Sequence, residues 1–254
     1  MTADRVRHDL LALAAELAGF CDMAIAGEGN VSGALGEERF FVKASGTSMA
    51  ALESRHLVEV DARMLLAALE EGLELPDDEI ETLLLGARTD PDALKPSVES
   101  LFHAWLLALE GVEFVGHAHP VAANALLCSP RAGLYAARRL FPDQVVYCGA
   151  ESVLVPYVDP GLKLARTISE SVESYRDRCG MVPKIILVRN HGVIALGRTA
   201  SDVAAALKMA EKSARVFIDA AVLGGPVFMS AGQVARIDGR IDEHYRQRML
   251  QAPS

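Results

Sequence analysis

Val112-Glu-Phe-Val-Gly-His-Ala-His-Pro120 is the stretch that decides how this chain is read. Its apolar start and the proline at its end describe a strand that stops where proline cannot continue a ladder. Side chains two apart on a strand leave by the same face. His117 and His119 therefore stand side by side, and two imidazoles so placed can share a metal ion. The plainer alternative is a pair of hydrogen-bonded or exposed histidines with no ion between them. A third histidine tips the balance. Lys184-Ile-Ile-Leu-Val-Arg189 reads as a buried-type strand running into Asn190-His191-Gly192, where the glycine implies a sharp turn. Loops at strand ends are where functional groups collect. Three histidine ligands with one open position make a catalytic rather than a structural zinc site.

Outward from these strands, the periodicity predicts helices over residues 5–17, 61–71, 162–176 and 199–223, the last capped by Thr199 or Ser201. A further helix opens at Lys95-Pro-Ser97 with Ser97 as N-cap and runs to about Glu110. A short helix follows Pro120 to Cys128, and a polar one covers about 233–248. Phe40–Lys43, Val145–Cys148 and Val153–Val155 read as strands. Gly27–Gly33 and Ala44–Ser48 read as loops of small residues, and Pro76-Asp-Asp and Thr89-Asp-Pro-Asp as breaks. Strands and helices mix without a strict βαβ rhythm. A single α/β domain over residues 1–254, a sheet flanked by helices, is the expected architecture.

Composition narrows the function classes. A hydrophobic share of 51% in 254 residues supplies a continuous core. The net charge of −9 argues against nucleic acid or an anionic membrane as the main partner. A small-molecule substrate is expected, and an anionic one is not forbidden, because backbone N–H groups bind anions on acidic proteins. The four cysteines, Cys21, Cys128, Cys148 and Cys179, form no C-x-x-C pair, so disulfides are not needed. With no signal-peptide core after Met1 and no apolar run of roughly 18 residues, a cytoplasmic protein is expected.

Glu99 lies two residues beyond Ser97, where a carboxylate needs no role beyond complementing the helix dipole. Gly29, Asn30, Ser45, Gly46 and Ser97 could form an anion cradle or be plain turn and cap residues. Gly27-x-Gly29 is not a dinucleotide fingerprint, because its third position falls on Ser32 and no clear strand precedes it.

Five segments taken in order carry more weight than any alone: Gly29-Asn-Val-Ser32, Ala44-Ser-Gly-Thr47, Pro96-Ser-Val-Glu-Ser-Leu-Phe-His103, Val115-Gly-His-Ala-His119 and Asn190-His-Gly-Val-Ile194. With them the chain resembles the class II aldolase and adducin-head family, which includes fuculose- and rhamnulose-1-phosphate aldolases. The resemblance implies that His117, His119 and His191 bind a divalent metal, zinc with manganese as the alternative. It implies that Glu99 moves protons and can touch the metal when substrate is absent. It makes Gly29, Asn30, Ser45, Gly46 and Ser97 the holders of a substrate phosphate. It further implies a central, mainly antiparallel sheet between helices, and a homotetramer with sites at subunit interfaces. Two positions depart from the fuculose-phosphate pattern. Val98 stands where that enzyme has a second serine. The tyrosine it takes from a neighbouring subunit has three candidates here, Tyr135, Tyr147 and Tyr157.

The implied reaction is aldol cleavage of a ketose or ketose phosphate through a metal-stabilised enediolate. Decarboxylation of a 3-oxo acid needs the same oxygens held and ranks second, followed by dehydration and epimerisation. A non-catalytic adducin-like module would have no use for all of His117, His119, His191 and Glu99. A binuclear zinc hydrolase would continue with Asp-His after the first two histidines, where Pro120-Val-Ala-Ala stands.

Overall fold

The strand ending at the histidine pair is the centre of a seven-stranded sheet. In the computed structural model, which describes residues 1–20, 23–36, 38–72 and 75–239, the strands are β1 (Asn30–Gly36), β2 (Arg39–Lys43), β3 (Leu57–Asp61), β4 (Phe114–Ala118), β5 (Val153–Val155), β6 (Ile185–Val188) and β7 (Gly192–Gly197). Their spatial order is β3-β2-β1-β4-β7-β6-β5. Every neighbouring pair is antiparallel except β5 with β6.

Alternation along the strands sends apolar side chains to two separate cores. Val31, Phe41, Phe114, Ala118, Val193 and Ala195 face one layer, which contains α1 (Ala3–Gly19), α5 (Val121–Leu127) and α9 (Ala200–Val222). Phe40, Val42, Val58, Val115, Ile194 and Leu196 face the other, with α2 (Ala62–Glu70), α4 (Ser100–Leu107) and α8 (Leu162–Cys179). Burial of Leu10, Leu13 and Leu17 seats the apolar stripe of α1, each side chain contributing about 1.5–3 kcal/mol. Local signals set the helix starts. Thr199 and Asp202 form a capping box at α9, and the Asp61 carboxylate accepts the Arg63 N–H at α2. The sheet with helices on both faces is the architecture expected from the sequence.

Several local expectations are corrected. Val145–Cys148 is not a strand but the end of α7 (Pro142–Cys148). Proline at N1 pre-sets a helix there, and a short apolar run does not distinguish the two states by itself. Pro76-Asp-Asp is a helix start rather than a break. Pro76 occupies the N-cap of α3 (Asp77–Gly86), and Asp77, Asp78 and Glu79 complement the dipole in its first turn. The loop expected at Gly27–Gly33 becomes β1 from Asn30 on. Its small residues suit a strand enclosed on both faces, since a Cβ at Gly33 would come within 2.8 Å of Val6 and 3.0 Å of Phe114.

Strands β3 and β7 and the short helix α6 (Ala132–Ala137) are additions to the sequence reading. Ser97 does not cap α4, which begins three residues later. The last expected helix is present as α10 (Ala231–Asp238), and its continuation to 248 lies outside the described residues. Cys128, Cys148 and Cys179 are free thiols, and Cys21 lies outside the described residues. No described helix is long and apolar enough to cross a membrane.

Candidate metal centre and active site

Strand register brings the site together. On β4, His117 lies opposite Asn30 of β1 on one side and Ile194 of β7 on the other. His119 follows immediately past the end of β4. The three-residue connection between β6 and β7 carries His191, with the turn made by Asn190 at φ 54°. This corrects the role expected of Gly192, which is needed for space and not for the turn. A Cβ there would come within 2.6 Å of the Ala118 carbonyl oxygen and 2.8 Å of both the His117 and His119 rings.

The three imidazoles converge edge to face, with ring centroids 4.8 to 5.1 Å apart. His117 Nδ1 donates to the Val193 carbonyl at 3.1 Å, which leaves its Nε2 lone pair facing inward, 3.0 Å from His119 Nε2. Glu99 Oε1 closes the group from the opposite side, 3.1 Å from His191 Nε2 and 3.5 Å from His117 Nε2. One ligand nitrogen from each histidine can be chosen so that all lie within 4.8 Å of one another. His191 Nδ1 is buried without a hydrogen-bond partner. Nitrogen lone pairs packed this closely repel one another unless a cation lies between them, so the donor set suits a divalent ion. Burial favours the neutral form of two of the rings, His117 and His119, as a ligand must be. It pulls His117 below the usual histidine range, and His119 down to about 4.

Glu99 sits at the N-cap of α4, yet its side chain caps nothing. It turns to the histidines instead. Burial opposes its charge, but the polar rings beside it, His117 first and then His191 through a hydrogen bond, outweigh that and hold the carboxyl well below its usual range. Its second oxygen accepts from the Asn30 amide N–H, and the Asn30 amide oxygen in turn meets His103 Nε2. His103 is wholly buried, with Nδ1 2.6 Å from Ser32 Oγ. Sequence reading quoted His103 without giving it a part, although Glu99 and His103 are four apart and so share a face of α4.

Two of the segments expected to form an anion cradle lie side by side. Ala44 bridges to Pro96, and the Ser45 N–H donates to the Lys95 carbonyl at 2.8 Å, which sets Ser45 and Gly46 beside Ser97. Gly29 and Gly46 both have left-handed backbone, with φ of 68° and 72°. Ser45 and Gly46 are exposed and Ser97 half-buried, whereas Asn30 is buried with its amide engaged by Glu99 and His103. Beneath them lies a residue to which the sequence assigned no part beyond the end of a strand. The buried Lys43 ammonium donates to the Thr47 carbonyl at 2.6 Å and to those of Gly27 and Ala44 at 3.4 Å, tying the two loops together. Glu28 Oε1 stands 3.8 Å from His119 Nδ1.

Of the three tyrosines, Tyr135 is committed to the core, its hydroxyl donating to the Ala210 carbonyl at 2.6 Å. Tyr157 is exposed and donates to Asp159. Tyr147 is half-buried on α7.

Residues 9–218 match the model of the Class II Aldolase and Adducin N-terminal domain. Among solved structures, an L-fuculose 1-phosphate aldolase superposes with a TM-score of 0.72 at 17% identity, covering 97% of this chain and 98% of that one. YgbL from Klebsiella pneumoniae, whose name leaves aldolase, epimerase and decarboxylase open, superposes with a TM-score of 0.71 at 21% identity, covering 93% and 99%. In sequence, the uncharacterized oxidoreductase YuxG of Bacillus subtilis (strain 168) is 26% identical over 162 residues. That match spans 64% of this chain but only 21% of the relative.

Proposed function

The chain belongs to the class II aldolase and adducin N-terminal domain family, and from that premise we propose that it is a divalent-metal-dependent carbon–carbon lyase. Its leading reaction is reversible aldol cleavage of a small ketose or ketose phosphate. The observation that carries this reading is the convergence of His117, His119 and His191 with the buried carboxylate of Glu99. A binding module would gain nothing from placing a buried carboxylate and three imidazoles in contact. Decarboxylation of a 3-oxo acid is the second reading, because it generates negative charge at the same substrate oxygens.

His117, His119 and His191 would hold the cation, zinc in first place and manganese in second. A divalent ion bound there supplies Lewis-acid stabilisation of the charge that develops on substrate oxygen as the carbon–carbon bond breaks. The remaining work falls to the chain itself. Glu99 is ionised, so it accepts the proton released from a substrate hydroxyl or carbon and returns it to the product. Gly29, Ser45, Gly46 and Ser97 would hold an anionic end of the substrate through N–H and hydroxyl groups, with the Lys43 charge below them. The exposed pair Ser45 and Gly46 open this end of the site to solvent, which suits a substrate that enters from outside. The homotetramer implied by the family resemblance belongs to the same proposal.

The test begins with a screen of ketose phosphates and 3-oxo acids on protein purified without chelator. About one metal per chain is expected, with loss of the metal in a His117→Ala/His119→Ala variant. Glu99→Gln keeps the shape and removes the basic oxygen. Its turnover should fall by roughly two to four powers of ten with metal content little changed. Undiminished activity in Glu99→Gln would rule the mechanism out.

A further inference from the structure

Behind Glu99 runs a buried chain of hydrogen bonds whose direction can be worked out from one end. At the Glu99 end, the Asn30 amide N–H donates to Oε2 of the carboxylate. The Asn30 amide oxygen then faces His103 Nε2, which must carry a proton to donate to it. His103 is fully enclosed, and burial pulls it down to about 3, so the ring is neutral and its Nδ1 has no proton. The Ser32 hydroxyl, 2.6 Å away, therefore donates to Nδ1. Each group has one role only, and reversing any one of them sets two acceptors or two donors face to face. The elements carrying the chain are rigid. Asn30 and Ser32 are on the same face of β1, opposite His117 and Val115 of β4, and the His103 ring stacks on Phe102 with centroids 4.7 Å apart.

We infer that His103 is a positioning residue, which through its Nε2–H fixes the Asn30 amide and so aims the Glu99 carboxylate at the site formed by the three histidines. The inference rests on the lyase reading for its consequence in turnover, but not for its geometry. Without the Nε2–H the buried Asn30 oxygen would have no partner, which favours a turn of the amide that breaks its bond to the carboxylate. The neutral ring forbids that turn.

The experiment has one arm that needs no substrate. Histidine ¹⁵N spectra of the zinc-loaded protein should show His103 neutral and protonated at Nε2 from pH 5 to 9. An Nδ1-protonated or charged ring would overturn the inference whatever the enzyme's activity. The second arm compares His103→Gln, whose amide N–H reaches the place of Nε2–H, with His103→Leu, on the substrate found by the screen. With metal content equal, His103→Leu should lose kcat by roughly 10- to 100-fold, the usual cost of losing an outer-shell partner, at little change in KM. His103→Gln should recover most of that loss. Equal impairment of the two variants would reduce His103 to a packing residue and refute the inference. A wild type inactive on every compound screened would instead refute the lyase, leaving the relay to be decided by the tautomer alone.

Discussion

Replacing Gly192 by alanine tests how tightly the backbone is drawn around the histidines. Gly192 opens β7, paired with Val188 of β6, and its backbone is not in the left-handed region, so alanine meets no conformational objection. It meets atoms. The added carbon would stand 2.6 Å from the Ala118 carbonyl oxygen, and 2.8 Å from His117 Cε1 and His119 Cδ2. Restoring ordinary contact of about 3.4 Å requires a parting of about 0.8 Å from the oxygen and about 0.6 Å from each ring. The oxygen belongs to central strand β4 and cannot yield, so both rings and the β6–β7 turn carrying His191 must move. Overpacking of this kind costs about 1–3 kcal/mol, which urea unfolding of the metal-free protein would measure.

The larger effect should be on the site. Displacing two ligands by over half an ångström exceeds what a metal centre tolerates, and zinc affinity should drop by roughly 10- to 100-fold, as it does when a supporting group is lost. Competition with a chelator of known affinity reads that number directly. Gly46→Ala is the control. Its φ of 72° strains an alanine, but its Cβ meets nothing within 4 Å, so it should cost about 1 kcal/mol of stability and leave zinc affinity unchanged. A Gly192→Ala protein that binds zinc as tightly as the wild type would refute the argument that this glycine keeps room for the ligands.

Three further outcomes are expected. Metal-free protein should lose stability as pH falls below 6.5. His103 stays neutral in the fold down to about 3 while its unfolded counterpart protonates near 6.5, so it alone contributes a loss of about 2 kcal/mol by pH 5. His117 and His119 act in the same direction, and a flat urea midpoint between pH 7 and 5 would contradict this. Glu211 is fully buried, and its Oε2 accepts the Ala122 and Ala123 N–H groups at 3.0 and 3.2 Å. Glu211→Leu should therefore destabilise the fold by about 2–4 kcal/mol, and a loss under 1 kcal/mol in thermal or urea unfolding would count against it. Sedimentation at micromolar concentration should give an assembly several times the 27.2 kDa chain, and a lone monomer would remove the tetramer from the proposal.

Much of the site was legible in the sequence because its signals are local. His117 and His119 are two apart on a strand, His191 follows an apolar strand, and Thr199 announces a helix; each depends on a few neighbouring residues and on fixed backbone periods. The sequence also determined the class of fold, since alternating apolar strands mixed with amphipathic helices leave few ways to bury both. Tertiary structure decided whatever depends on distant segments meeting. Whether the short apolar run Val145–Cys148 is strand or helix was decided by its packing as α7 against α9, with Pro142 able to start the helix. Asn30 and Ser32 looked like loop residues until β2, β4 and two helical layers closed around them. Gly192 looked like a turn residue until the rings of His117 and His119 were set against it. Ser32, Asn30, Glu99 and His103 are up to 73 residues apart, and hydrogen bonds at such separation leave no period or composition to read. Only the register of β1 against β4, with α4 laid across both, determines that these four side chains form a single chain of hydrogen bonds.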